Sequence, residues 1–249
     1  MIICKSPNEI EKLRRSGRMV RLLLGEIRER VRPGITTLDL EKFLAKRLKE
    51  FGAQPAFKGY RGYPCCLCAS VNDEVIHGIP SDRRRLEEGD ILSLDTGVVV
   101  DGYYGDSALT VPVGAINESA QRLLKVTEQA LELAIDKVRV GNRLGDISAT
   151  VQEHAEKNGY SVVREFVGHG IGKAMHEEPQ IPNFGQPGHG PLLKEGMVFA
   201  IEPMVNAGGP GVRVLGDNWT AVTMDGALSA HFEHMVAVTR NGPDVLTRL

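Results

Sequence analysis

The feature that most restricts how this chain can fold is a pattern that occurs twice, 107 residues apart. Val31-Arg32-Pro33-Gly34 resembles Val138-Arg139-Val140-Gly141, Asp39-Leu40 matches Asp146-Ile147, and Gly52 matches Gly159. Glu88-Gly89 matches Glu195-Gly196, and the run Ile91-Leu92-Ser93-Leu94-Asp95 matches Val198-Phe199-Ala200-Ile201-Glu202. Amphipathic helices look alike by default, but glycines and carboxylates are not helix-face residues. Their common offset therefore points to two related halves, each two helices followed by strands. Val75-Ile76-His77-Gly78-Ile79 also resembles Val167-Gly168-His169-Gly170-Ile171, at an offset of 92, which implies an insertion after His169. No low-complexity linker divides the chain, so residues 1–249 read as one domain with halves of roughly 1–113 and 114–249.

Local signals agree with this plan. Ser6-Pro7-Asn8-Glu9 predicts a capped helix start, and Ile10, Leu13, Val20, Leu24 and Ile27 follow at helical spacing. Further helices are predicted over 37–51, 117–138 and 144–158. Residues 91–100 and 103–113 read as strands joined by the two-residue turn Asp101-Gly102, a hairpin signal.

The carboxylates raise the chemical question. Asp95 and Glu202 each end an apolar run, and a pseudo-two-fold relation would bring them to equivalent places. Burying two unpaired carboxylates costs several kcal/mol each, and a cation between them is the simplest remedy. Asp106 lies on the other hairpin arm, and an even-numbered loop puts residues of opposite parity on one sheet face. Asp95 and Asp106 should thus project together, and like charges so close demand a proton or a metal. His169 sits among small residues in Gly168-His169-Gly170-Ile171-Gly172, and Glu233 is a charge embedded in an apolar strand pattern. Four carboxylates and one imidazole make a hard, oxygen-rich ligand field suited to manganese, iron, cobalt or zinc. Four negative charges can hold two divalent ions.

Composition excludes some alternatives. The net charge of −2 leaves no basic surplus for nucleic acid, and Arg83-Arg84-Arg85 is followed at once by Glu87-Glu88 and Asp90. No apolar run approaches the roughly 20 residues of a membrane helix, and the first residues show no signal-peptide pattern, so a cytoplasmic location is expected. Cys4, Cys65, Cys66 and Cys68 lack zinc-finger spacing and are expected to be free thiols.

Taken in order, several stretches resemble the type I methionine aminopeptidases over nearly the whole chain. They are Val71-Asn72-Asp73-Glu74-Val75-Ile76-His77-Gly78-Ile79-Pro80, Tyr104-Gly105-Asp106, Gly168-His169-Gly170-Ile171-Gly172 with His176-Glu177-Glu178-Pro179, Ile201-Glu202-Pro203-Met204 and Phe232-Glu233-His234. The resemblance implies an α+β pita-bread fold, two pseudo-symmetric halves sharing a curved, mainly antiparallel sheet covered by helices. It implies that Asp95, Asp106, His169, Glu202 and Glu233 hold two divalent metal ions, with Asp106 and Glu233 as bridges and Glu202 as general base. His77 and His176 would contact substrate and reaction intermediate. Tyr60, Tyr63, Cys68, Met175 and Trp219 would form the methionine pocket, since aromatic and sulfur groups suit an unbranched thioether. The implied activity is removal of the first methionine from peptides and from nascent chains at the ribosome, with a small second residue, by a monomer. Met175, Arg61 and Phe57 stand where phenylalanine, histidine and cysteine can occur, which leaves the fine substrate preference open. The chain also lacks the zinc-binding extension and the long insertion of the other branches, and so resembles the short bacterial form.

Three rival readings have their own signatures. A proline-specific peptidase of the same fold normally carries a large preceding domain, and Asp95 comes too early to leave room for one. A non-catalytic protein on this scaffold would lose metal ligands, yet all five are present. A glycosidase with paired carboxylates would need neither His169 nor a metal.

Overall fold

The computed structural model describes residues 1–249. Helices α1 (Pro7–Arg28) and α2 (Thr37–Glu50) come from the first half, α3 (Glu118–Ile135) and α4 (Leu144–Lys157) from the second. Their starts follow from capping chemistry. Ser6 accepts from the Glu9 backbone while the Glu9 carboxylate accepts from Ser6, and Thr36 with Asp39 does the same for α2. At α3 the Asn117 side chain accepts from Ala120, and at α4 the Asp146 carboxylate reaches back to the Arg143 N–H. All four predicted helices are present, each shorter than its expectation by a residue or a few at the C-terminal end.

Every strand pair is antiparallel. Ile91–Val100 and Tyr103–Pro112 form the predicted hairpin. Asp101 (φ 52°) and Gly102 (φ 78°) both occupy the left-handed region that a tight two-residue turn requires. Asp95 pairs with Ala108 and Gly97 with Asp106, so the two acids are diagonal neighbours on one face, as the parity of the loop requires. A five-stranded sheet of the second half runs Gly242–Val245, His234–Thr239, Val198–Ile201, Gly168–Gly170 and Glu177–Ile181. The main core of 41 residues lies between these sheets and the helices.

The repeat is visible in backbone bonds. Gly34 N–H donates to the Leu86 carbonyl and Gly141 N–H to that of Leu193, each 107 positions on, while Thr36 bridges Arg85 and Arg143 bridges Leu192. Gly34 and Gly141 have φ of 90° and 94°, and Gly89 and Gly196 have 95° and 89°. Both halves need glycine there because the backbone turn is the same and left-handed. One sequence correspondence does not hold. Asp95 lies across from Cys68 and Ser93 from Ser70, whereas Ala200, the equivalent of Ser93, lies across from His169. The counterpart of His169 is therefore Ser70, not His77. In the first half two residues, Asn72 and Asp73, separate Leu67–Val71 from Glu74–Ile76. In the second half residues 171–176 separate the corresponding strands, and this added length shifts the register of the similar histidine strings.

A second difference concerns Glu233. The expected continuous strand is interrupted: Ser229–His231 pairs with Met204–Asn206, and His234–Thr239 pairs with Val198–Ile201. Both arms change sheets at one level, with Glu202-Pro203 on one and Phe232-Glu233 on the other. The backbone freed at this break bonds across to the first half. Glu233 N–H donates to the Ala108 carbonyl, and Ser107 and Thr110 hydroxyls donate to the Glu233 and His231 carbonyls, at 2.8–2.9 Å.

The close approach of α1 to its neighbours is testable at two glycines. A Cβ on Gly17 would meet the Leu246 carbonyl oxygen at 2.5 Å, whereas one on Gly25 meets nothing within 4 Å. Gly25→Ala is expected to stabilise the protein by about 0.5–1 kcal/mol through helix propensity. Gly17→Ala, with the same propensity gain, is expected to destabilise it by roughly 1–3 kcal/mol through overpacking. Urea unfolding of the two variants measures both; stabilisation at Gly17 would disprove the close contact.

Candidate metal centre

The hairpin and the double break converge on one point. Asp95 and Asp106 enter from the first half, Glu202 and Glu233 from the breaks, and His169 from the middle of its strand. A hydrogen bond of 2.9 Å between His169 Nδ1 and the Gly170 carbonyl oxygen puts the proton on Nδ1, because a carbonyl only accepts. Nε2 is then a bare lone pair, facing Glu202 Oε1 at 3.5 Å and Asp106 Oδ2 at 3.9 Å. Ligand atoms of Asp106, His169 and Glu233 all lie within 4.8 Å of one another.

Acceptors thus face acceptors. All five residues are at most 8% exposed. Asp95 Oδ1, Asp106 Oδ1 and Glu233 Oε1 have no hydrogen-bond partner, and no lysine or arginine pairs with any of the five. Burial pushes the Asp95 carboxyl up, and burial together with mutual repulsion holds Asp106, Glu202 and Glu233 well above the carboxylate range. Burial pushes His169 down to about 3, so it supplies no positive charge near neutral pH. Orphaned carboxylate oxygens around an unprotonated imidazole nitrogen fit a divalent cation site. Cys68 adjoins Asp95, but burial, followed by the charge of Asp95, raises its thiol. It stays protonated and outside the ligand set. Cys65 and Cys66 are free thiols as well, and Cys4 is free and exposed.

Above this floor lies a cavity of about 180 Å³. Tyr60, Tyr63, Cys68, Met175 and Trp219, the five pocket residues expected from sequence, all line it, as do His77 and His176. Three devices set these groups. Glu41 of α2 accepts from the Cys66 and Leu67 N–H groups and so fixes the strand that carries Cys68. Glu177 accepts from the Lys173 and Ala174 N–H groups and pairs with buried Lys5 at 2.5 Å, pinning the loop that presents Met175 and His176. Asp217 accepts from the Trp219 and Thr220 N–H groups, and Trp219 then packs edge-on against Tyr63 (5.1 Å) and His77 (5.8 Å). His77 holds φ 62°, a left-handed conformation that turns its ring between Trp219 and Phe166. The Tyr60 hydroxyl lies 2.8 Å from His176 Nδ1. His77 is pushed down to about 4 by burial first and by His176 second, and is neutral near pH 7.

Sequence reasoning missed Ile76, Phe166 and Val167 in the lining, and it missed His231. That imidazole is 1% exposed, neither ring nitrogen has a hydrogen-bond partner, and Nε2 is 3.8 Å from Glu202 Oε2. The available signal was a polar residue two positions before Glu233 in an otherwise apolar run.

Comparisons with known proteins place this geometry. Residues 11–240 match metallopeptidase family M24. The chain is 50% identical to the methionine aminopeptidase 1 of Bacillus subtilis, with the whole of both chains covered. Its structure superposes on the crystal structure of the methionine aminopeptidase from Thermotoga maritima with a TM-score of 0.98, 47% identity and full coverage of both. The prolidase from Pyrococcus furiosus shares the fold, with a TM-score of 0.81 and 24% identity, but this chain covers only 66% of it.

The charge balance of the centre gives a pH test. In the metal-free protein the buried carboxylates keep protons that the unfolded chain releases above its ordinary pKa of about 4. The folded state then binds more protons, so their contribution to stability falls as pH rises towards the raised folded values. Buried His77, His169, His231 and His234, lowered to about 4 or 3, act oppositely, but only up to the unfolded value of about 6.5. From about pH 7 to 8 the unfolded histidines are mostly neutral and the carboxylates dominate. The free energy of urea unfolding of chelator-treated protein is expected to fall over that range, by up to about 1.4 kcal/mol per pH unit for each proton retained. Added manganese or cobalt should flatten the slope; a slope that is flat without metal would show that the carboxylates are not crowded.

Proposed function

The chain belongs to metallopeptidase family M24 and has its pita-bread fold; from that premise we propose that it removes the N-terminal methionine from peptides and nascent proteins, favouring a small second residue. The observation that carries this reading is the cluster of orphaned carboxylate oxygens around His169 Nε2 at the floor of an aromatic and sulfur-lined cavity. Identity of 50% over the full length of an aminopeptidase relative supports the same reaction class.

In this reading Asp95, Asp106, His169, Glu202 and Glu233 would hold two divalent ions, of manganese, iron, cobalt or zinc, which would supply a water acidic enough to attack a peptide carbonyl near neutral pH. The chain's own groups do the rest. Tyr63, Cys68, Met175 and Trp219 take up the methionine side chain. Glu202 accepts the proton of the attacking water at a carboxylate oxygen and returns it to the leaving amine. The Tyr60 hydroxyl, 2.8 Å from His176 Nδ1, can donate there and so leave the His176 proton on Nε2, where it can donate to the scissile group. His77, neutral and held by its left-handed backbone, offers a second donor to the carbonyl oxygen as charge develops there.

The reading makes two predictions. A peptide panel varying the first two residues should show cleavage after methionine with glycine, alanine or serine second. Preference for leucine first, or for proline second whatever precedes it, would contradict it. Glu202→Gln keeps size and one oxygen ligand but cannot take a proton, so turnover at saturating metal should drop by about 10²–10⁴-fold. Return of full turnover at high metal would make Glu202 a ligand only.

A further inference from the structure

Arg61 stands at the mouth of the cavity and takes no part in the chemistry assigned above. It is the central residue of the short turn Tyr60–Gly62, with φ 49° and ψ 22°, between Gly59 (φ 87°) and Gly62 (φ 92°). Left-handed backbone is unfavourable for a residue other than glycine. This turn directs the guanidinium over the Tyr60 ring, 5.5 Å from its centroid, and Tyr60 in turn holds His176. Arg61 is the only lysine or arginine lining the cavity, and it forms no ion pair within the molecule. Its charge reaches the site: burial and then Arg61 depress the His176 imidazole. The acidic groups that line the cavity belong to the candidate metal centre at its floor, so the uncompensated charge at the mouth is that of Arg61.

The geometry points to Arg61 as a specificity residue that favours peptides with an acidic side chain at the third position; the inference rests on the aminopeptidase reading of the same site. Methionine occupies the inner pocket and the second residue lies at the reacting centre beside His176. An extended peptide advances about 3.3 Å per residue, so the third residue emerges roughly 7 Å outward from the first, beside the Tyr60–Arg61 rim. A guanidinium meets a carboxylate there with two parallel N–H donors, and its partly solvated position makes the gain modest and salt-sensitive.

The test compares Met-Ala-Glu-Ser, Met-Ala-Gln-Ser and Met-Ala-Lys-Ser amides with the metal-loaded enzyme. Native protein should prefer glutamate to glutamine, and glutamine to lysine, by about three- to fivefold in kcat/KM at each step. The preference should lie in KM and shrink towards unity in 0.5 M NaCl. Arg61→Asn, a residue that tolerates positive φ, should flatten the series; Arg61→Lys should restore part of it, and Arg61→Glu should invert it. Equal kcat/KM values for the three peptides, or a preference that survives Arg61→Asn unchanged, would overturn the inference while leaving the aminopeptidase reading intact. A native enzyme that cleaves none of the three would overturn both.

Discussion

Four carboxylates share one water-poor space, and the rest of the molecule is arranged around the cost of keeping them there. Hydrogen bonds from backbone or lysine could have neutralised them, yet Asp95, Asp106 and Glu233 each keep a bare oxygen. An imidazole held in the one tautomer that points a lone pair at them deepens the imbalance. A site of this kind is pre-organised for cations at the expense of the metal-free protein's stability, which couples metal content to folding.

Such a cluster survives only if its walls cannot relax. The rigidity comes from the seam between halves, where the Glu233 N–H bonds to the Ala108 carbonyl and the Ser107 and Thr110 hydroxyls hold the carbonyls of Glu233 and His231. Those bonds exist because two adjacent strands leave one sheet and enter another at the same level. An uninterrupted strand would have spent the Glu233 N–H on its neighbour and alternated its side chain in or out by parity alone. The break frees the backbone to reach across and fixes the Glu202 and Glu233 carboxylates opposite the Asp95–Asp106 face.

Much of this was legible in the sequence, for identifiable reasons. The hairpin is local: Asp101-Gly102 specifies the turn, the turn sets the register, and the register puts Asp95 and Asp106 on one face. The helices were legible from the Ser6 cap and from apolar spacing. The offset glycines were legible because a left-handed turn imposes glycine in both halves. What escaped was non-local. Nothing around Phe232 marks a sheet switch, since the bonds that compensate for it come from Ser107 and Thr110 more than 120 residues earlier. Phe166 and Val167 look like ordinary apolar residues, and only the assembled fold puts both in the cavity wall. His231 reads as a polar residue in a strand until its ring is found unpartnered beside Glu202.

The mismatch of the two histidine strings shows how a duplicated frame acquires a one-sided site. Equivalent positions keep related roles where the frame demands it: Asp95 and Glu202 both face the centre, and Cys68 and Val167, across from them, both line the cavity. Two positions further on the halves part. In the second half it is His169, whose strand brings Nε2 among the carboxylates. In the first half it is Ser70, whose hydroxyl accepts from the Gly78 N–H at 3.0 Å. That bond clamps the segment after His77 so tightly that a Cβ on Gly78 would lie 2.7 Å from the Ala69 carbonyl oxygen. A single position in the frame therefore puts an imidazole among the carboxylates in one half and anchors the segment after a cavity-lining histidine in the other. A histidine at position 70 would remove the hydroxyl that anchors Gly78. The serine, by being short, leaves room for that division of labour.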